Sequence, residues 1–348
     1  MRGIIFSLII FASVFAEAQS PAQFEVDASW PAPLPEGWVN GHLGGSCIDS
    51  HDHVAVVDRR NISEKQARAY EAAPPIQMFD REGNLIESFG DPEIVPAFLH
   101  GCAFDADDNL YIGGSRDGLI QKYSHHGELL LQIGTKGVVD TTDGTASGER
   151  LNASRNGFYW PSDLEIDADN GDIYVSDGYG NRRVVVFDSE GNYLRQWGRQ
   201  ATPEESQEGV GGVFAAVVHC VEISNDELVY VCDREGNRIQ IFTKGGDFIR
   251  NIWIPLGAAM TPDILGSAWS MDFSADPEQQ YIFVMDGLNE KVHIIENASG
   301  ETVSSFGRAG HAAGHFDFGH TISVDSEGNI YVAETGEGRR IQRFEPSN

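Results

Sequence analysis

Six times in 348 residues the chain repeats one pattern: an apolar alternation closing on Asp or Ser, a turn rich in Asp, Asn and Gly, then a Tyr/Phe-Val pair ending near an acid. The copies read GSCIDSHDHVAVVD, GCAFDADDNLYIGG, DLEIDADNGDIYVSD, CVEISNDELVYVCD, SMDFSADPEQQYIFVMD and TISVDSEGNIYVAE. Alternating side chains bury one face of a strand, and Asp, Asn and Gly satisfy a tight turn, so each copy is a hairpin. Self-similarity at a period of about 50 to 60 residues is the signature of a radial or stacked repeat. Most copies continue into a second hairpin, most clearly NRRVVVFDSEGNYLRQWG (181–198) and NRIQIFTKGGDFIRNIW (237–253). Four strands per unit and six units predict an all-β fold, a six-bladed β-propeller filling residues 19–348 as a single domain.

The last unit ends after its third strand, in RRIQRFEPSN, and leaves an edge to be covered. QFEVD (23–27) is the expected donor of the missing outer strand, which closes the ring with both ends of the chain. The insertions 135–159 and 199–212, rich in Gly, Ser, Thr and Glu, are expected as surface loops rimming one face.

MRGIIFSLIIFASVFAEAQS opens with one basic residue, an apolar stretch from Ile4 to Phe15, and Ala16-Glu17-Ala18, the pattern of a signal peptide cleaved after Ala18. The apolar stretch is shorter than the roughly 20 residues a spanning helix needs, so the expectation is a secreted or periplasmic protein with no membrane span. A net charge of −29 argues against nucleic acid and anionic membranes as partners, because both are polyanions. Four cysteines are too few for a disulfide scaffold, and Cys47, Cys102 and Cys220 are expected as small buried hydrophobes.

Taking the Asp or Ser that closes each inner strand as reference (Asp49, Asp105, Asp167, Ser224, Ser274, Asp325), five residues back stand Gly44, His100, Ser162, His219, Trp269 and His320. The histidines fall in the second, fourth and sixth units, and alternate blades of a six-bladed ring are about 120° apart, with the innermost strands lining the channel. Three imidazoles at one depth can therefore meet on the axis, and three histidines with an open fourth position suit a catalytic zinc. A second column follows the Tyr/Phe-Val strand: Asp58-Arg59, Ser115-Arg116, Asp177-Gly178-Tyr179, Asp233-Arg234, Asp286-Gly287 and Glu334-Thr335. Arg59 and Arg234 come from opposite units and make a carboxylate clamp, unless each pairs with its neighbouring Asp. Tyr179 is either a turn-packing aromatic or an acid/base group beside a metal.

NRRVVVF and NRIQIF resemble NHL repeats. LHGCAFD, SDGYGNRRVVVFD, VVHCVEIS, VCDREGNRIQIF and FGHTISVD resemble, in order and over nearly the whole mature chain, the peptidyl-α-hydroxyglycine α-amidating lyases. The resemblance implies cleavage of a hydroxylated C-terminal glycine to a peptide amide and glyoxylate. It assigns zinc to His100, His219 and His320, catalysis to Tyr179 and Arg59, and substrate binding to Arg59, Arg234 and Tyr179. It implies a structural calcium as well, with backbone carbonyls from Ser46 and Cys102, yet the family's calcium Asp is Thr321 here. Two carbonyls without a carboxylate make a weak site for a hard cation. The family's vertebrate-type cysteine positions are not kept. No copper monooxygenase module accompanies these residues, so a separate hydroxylating enzyme is the expected partner in making the substrate, a peptide C-terminus or a small molecule. Two other readings stay open: a metal-dependent propeller hydrolase of the lactonase kind, and a non-catalytic propeller binding a ligand on one face.

Overall fold

The computed structural model describes residues 23–139, 152–256 and 265–347; the expected signal peptide and residues 140–151 of the first insertion lie outside them. Six four-stranded sheets, antiparallel throughout, form the propeller. Their innermost strands are Leu43–Ile48, Leu99–Phe104, Asp163–Ile166, Val218–Ile223, Ser270–Phe273 and Gly319–Val324, and the blades are numbered 1 to 6 in that order. Gln23–Asp27 pairs along Ile341–Ser347 as the outer strand of blade 6, with Gln23 opposite Ser347 and Asp27 opposite Arg343. The ring closes as the sequence predicts.

Each blade buries its middle strands between two neighbours, which is why those strands are near-continuous apolar runs while the outer strands are half exposed. In blade 3 all five residues of Arg183–Phe187 are buried, whereas Tyr193–Trp197 is intermediate or exposed. Val184 and Val186 pack with Tyr174 against Phe214, Val221, Val231 and Phe242 across the seam to blade 4. Each such side chain contributes roughly 1.5–3 kcal/mol of burial. Buried ion pairs fasten the same blades: Arg183 Nη2 lies 2.8 Å from Asp177 Oδ2, and Arg238 Nε donates to Asp233 Oδ2 at 2.8 Å. Removing either partner would strand a buried charge.

Two expectations are corrected. Insertion 199–212 is not only loop: Pro203–Glu208 is a short α-helix. Its Thr202 side chain accepts from the Glu205 backbone N–H while the Glu205 carboxylate accepts from that of Thr202, with Pro at the first helical position, a start signal that was present in TPEE. The cysteines are buried as expected but are not free: Cys47 pairs with Cys102 between blades 1 and 2, and Cys220 with Cys232 across the first two strands of blade 4. The first pair meets because blades 1 and 2 pack together, the second because the two strands of one hairpin pair.

The first bridge spans 55 residues, so opening it frees a large loop in the unfolded chain. The double variant Cys47→Ala/Cys102→Ala is expected to lose about 4 kcal/mol on the chain-entropy account, read from the urea midpoint against the parent. An unchanged midpoint would remove this bridge from the account of stability.

Candidate metal centre and substrate pocket

His100, His219 and His320 are each the second residue of an innermost strand, in blades 2, 4 and 6. Strand pairing shifts register beside each one, between Leu99 and Cys102, Val218 and Val221, and Gly319 and Thr321. Such bulges twist a strand and re-aim its side chains, here toward the axis. The ring centroids lie 4.5, 4.9 and 5.3 Å apart, and one nitrogen from each falls within 4.8 Å of the others. The three imidazoles converge as the column predicts.

The second shell repeats with the same threefold pattern. His219 Nδ1 donates to the Trp269 carbonyl, and the backbone carbonyls of Ser162 and Gly44 lie against His100 and His320 in looser geometry. Each acceptor is the residue of the same column in the next blade. With Nδ1 turned outward, Nε2 presents its lone pair to the axis. Burial holds all three rings well below the usual histidine range; for His100 and His320 the neighbouring rings and Arg59 add to this, and for His219 Arg234 does. Three neutral imidazoles fit zinc and other borderline divalent ions, not calcium.

Tyr179 comes from the loop after the second strand of blade 3. That loop runs so close to blade 4 that a Cβ on Gly178 would sit 2.0 Å from the Val218 carbonyl oxygen. The Tyr179 oxygen lies 3.0 Å from Nε2 of both His100 and His219, and Arg234 Nη1 donates to it at 3.2 Å. Burial pushes the phenol up, opposed by Arg234 and then Arg59. Neither arginine pairs with the aspartate that precedes it in sequence. Asp58 accepts from the backbone of Gly41 and Arg60, and Asp233 takes Arg238. Arg59 Nε instead donates to the Leu99 carbonyl at 2.9 Å and Nη1 to Thr335 Oγ1 at 2.7 Å, while Arg234 pairs with Glu235 at 2.7 Å. Burial lowers Arg59 to about 10, which leaves it charged at neutral pH.

These groups open into a cavity of about 510 Å³ that Arg116 and Trp160 also line; among the described residues no carboxylate lines it. Arg116 stands in the same column as Arg59 and Arg234, and stacks with Arg59 on opposite neighbours of one ring, each guanidinium 4.1 Å from the Phe98 centroid. The rim residues Phe98, Trp160, Leu265 and Phe318 have φ of 57°, 60°, 67° and 63°. Bulky side chains avoid that region, so the fold holds an apolar collar at the mouth against local strain.

A second set was missed. Two residues before each reference position stand Cys47, Ala103, Glu165, Glu222, Asp272 and Ser323, so counting the neighbouring column would have found three consecutive acids. Glu165, Glu222 and Asp272 line a cavity of about 180 Å³ lower in the channel, which no basic side chain lines among the described residues. Burial, and for the two glutamates also the repulsion of neighbouring carboxylates, raises all three, Asp272 to about 7; burial raises adjoining Asp163 to about 8. Ser46 and Cys102 line the same cavity, whereas Thr321 does not, and its Oγ1 is buried without a hydrogen-bond partner. The family's calcium arrangement therefore does not carry over residue for residue.

Fold and site together define an NHL-type β-propeller with three histidines on its axis. A family model for the NHL repeat matches residues 158–187. Over 93% of its length the chain is 24% identical to the probable peptidyl-alpha-hydroxyglycine alpha-amidating lyase of Caenorhabditis elegans, covering 89% of that protein. It is 26% identical over 251 residues to the peptidylglycine alpha-amidating monooxygenase of Rattus norvegicus, 68% of this chain but only 22% of that much longer protein. Among solved structures, a streptogramin B lyase shares the fold with a TM-score of 0.59 at 13% identity, covering 93% of this chain and 98% of that one. The resemblance to the amidating lyases is thus borne out along nearly the whole chain.

Between pH 7.5 and 8.5, above the histidine range, the buried carboxylates should dominate the pH dependence of the metal-free protein. Asp163 and Asp272 keep protons in the folded state that the unfolded chain releases near pH 4. Their contribution is full below that pH and is lost as pH rises through about 7 and 8. The three axial histidines are held neutral when folded, and in the unfolded chain they have given up nearly all their protons by the start of this window. The Tm should fall by roughly 2–4 °C per pH unit for each net proton, and Asp272→Asn should flatten the slope. A Tm that rises over the window contradicts these shifts.

Proposed function

We propose that the protein is an exported, metal-dependent carbon–nitrogen lyase. It splits a peptidyl-α-hydroxyglycine or a related N-acyl-α-hydroxyglycine into an amide and glyoxylate. The observation that carries this reading is the Tyr179 oxygen, 3.0 Å from two of three convergent imidazoles and in hydrogen-bond contact with Arg234. The names of the relatives support the same chemistry. Export is supported by the signal-like first 18 residues and by two disulfides, which persist in oxidising compartments.

His100, His219 and His320 would hold zinc, which when bound supplies Lewis-acid polarisation of the substrate's hydroxyl. The chain's own groups do the rest. Arg59 and Arg234 hold the terminal carboxylate and set the carbinol carbon beside Tyr179. The Tyr179 oxygen, as phenolate, takes the hydroxyl proton. The O–H electron pair becomes the second bond of the aldehyde carbonyl, the C–N pair leaves with the amide nitrogen, and that nitrogen takes up a proton. The two guanidiniums favour the phenolate that burial disfavours. The apolar collar covers the acyl side of the substrate and excludes water from the reacting bond.

His219→Ala should abolish retention of the central ion and glyoxylate release from α-hydroxyhippurate together. Tyr179→Phe should keep the ion and lose about 10²–10⁴ in kcat. Normal turnover by the metal-free His219→Ala protein would end this proposal.

A further inference from the structure

Eight of the chain's 11 histidines lie outside the axial set, and four of them gather on two neighbouring turns. His51 and His53 sit on the turn between the first two strands of blade 1, His125 and His126 on the turn between the last two of blade 2. Both turns lie on the face opposite the arginine loops, since those loops leave the other end of the same antiparallel strands. Here Asp49 is buried and fixed: Oδ1 accepts the backbone N–H groups of His51 and His53 at 2.9 and 2.8 Å, and Oδ2 lies 2.9 Å from His53 Nδ1. Asp49 Oδ2 also lies 3.3 Å from His125 Nε2.

That contact orients His125. With Nε2–H donated to Asp49, the Nδ1 of a neutral ring is an acceptor, and it faces Glu87 Oε2 at 3.8 Å. His126 Nδ1 faces Glu87 Oε1 at 3.7 Å. Both separations are too long for a hydrogen bond. They are close to the spacing of about 3.3 Å between ligands that share one tetrahedral ion at bonds of about 2.0 Å. One atom each from Glu87, His125 and His126 lies within 4.8 Å of the others. A carboxylate behind a histidine whose other nitrogen faces further donors is the usual second shell of a metal ligand. Among the described residues, no Lys or Arg pairs with Glu87, Asp49 or Asp108; their ionic partners are all histidines.

We propose that Glu87, His125 and His126 form a second metal site, for a divalent transition ion of the zinc or copper class, with Asp49 positioning His125. Two imidazoles and a carboxylate suit such ions better than calcium or magnesium. The side chain of His126 is 86% exposed, so the fourth position is open to solvent. The ion joins the outer strand of blade 1 to blade 2, along the seam that Cys47–Cys102 bridges at its inner edge. This site is independent of the lyase reading.

Zinc stoichiometry of the purified, chelator-stripped and reloaded protein tests it, by elemental analysis after equilibrium dialysis. The wild type should bind two ions per chain. His126→Ala and Glu87→Gln should each bind one, with glyoxylate release unchanged, and His219→Ala/His126→Ala should bind none. With Cu²⁺ in the His219→Ala background, electron paramagnetic resonance should show two imidazole nitrogens, falling to one on adding His126→Ala. Asp49→Asn should keep both nitrogens while weakening the ion about tenfold. Equal stoichiometry in the wild type and both surface variants would overturn the site.

Discussion

Pairing of Gln23–Asp27 against Ile341–Ser347 closes the ring, and the geometry at the axis depends on that closure. A propeller is rigid only as a closed circle, because each blade buries its faces against its neighbours and an open seam would expose two of them. The strand that closes this one completes blade 6, which also carries His320. The 6–1 seam reaches the site directly: Arg59 of blade 1 donates to Thr335 of blade 6, and the Ser46 and Ser323 hydroxyls meet at 3.0 Å. Loosening the ends of the chain would displace one imidazole and one arginine before it disturbed the other blades.

Charge is distributed against the average of the chain. A protein of net charge −29 carries Arg59, Arg116 and Arg234 at one mouth of its channel and Glu165, Glu222 and Asp272 lower down. Three fixed cations in a concave, low-dielectric wall raise the local concentration of an anionic ligand. Among the described residues, the acid-lined cavity below offers that ligand no cation to pair with. The channel therefore has one entrance for an anion, and the imidazoles lie between the two zones. The apolar collar at the cationic mouth adds a requirement for an uncharged surface beside the anionic group.

Much of this was legible because a radial repeat converts position in sequence into position in space. His100, His219 and His320 share a column, and the ring brings a column to one depth. The same rule would have exposed Arg116 and the acids at 165, 222 and 272 had every column been counted. Other features follow no column. Cys47 and Cys102 stand at different offsets from their reference residues and meet only because blades 1 and 2 pack there. Glu87 stands on the outer strand of one unit and His126 on a turn of the next, and they approach only where blades 1 and 2 pack. The helix at 203–208 was readable from TPEE, but loop composition hid it.

Strand number, ring closure and the identity of the axial histidines were written in the chain, because alternating hydrophobicity sets strand faces and the repeat sets the angle between them. Distances were not. Whether an imidazole reaches its partners depends on the bulge beside it, and whether Arg59 stays free of Asp58 depends on which backbone amides claim that carboxylate first. Such choices are settled by competition among contacts between residues remote in sequence, so only the folded ring decides them.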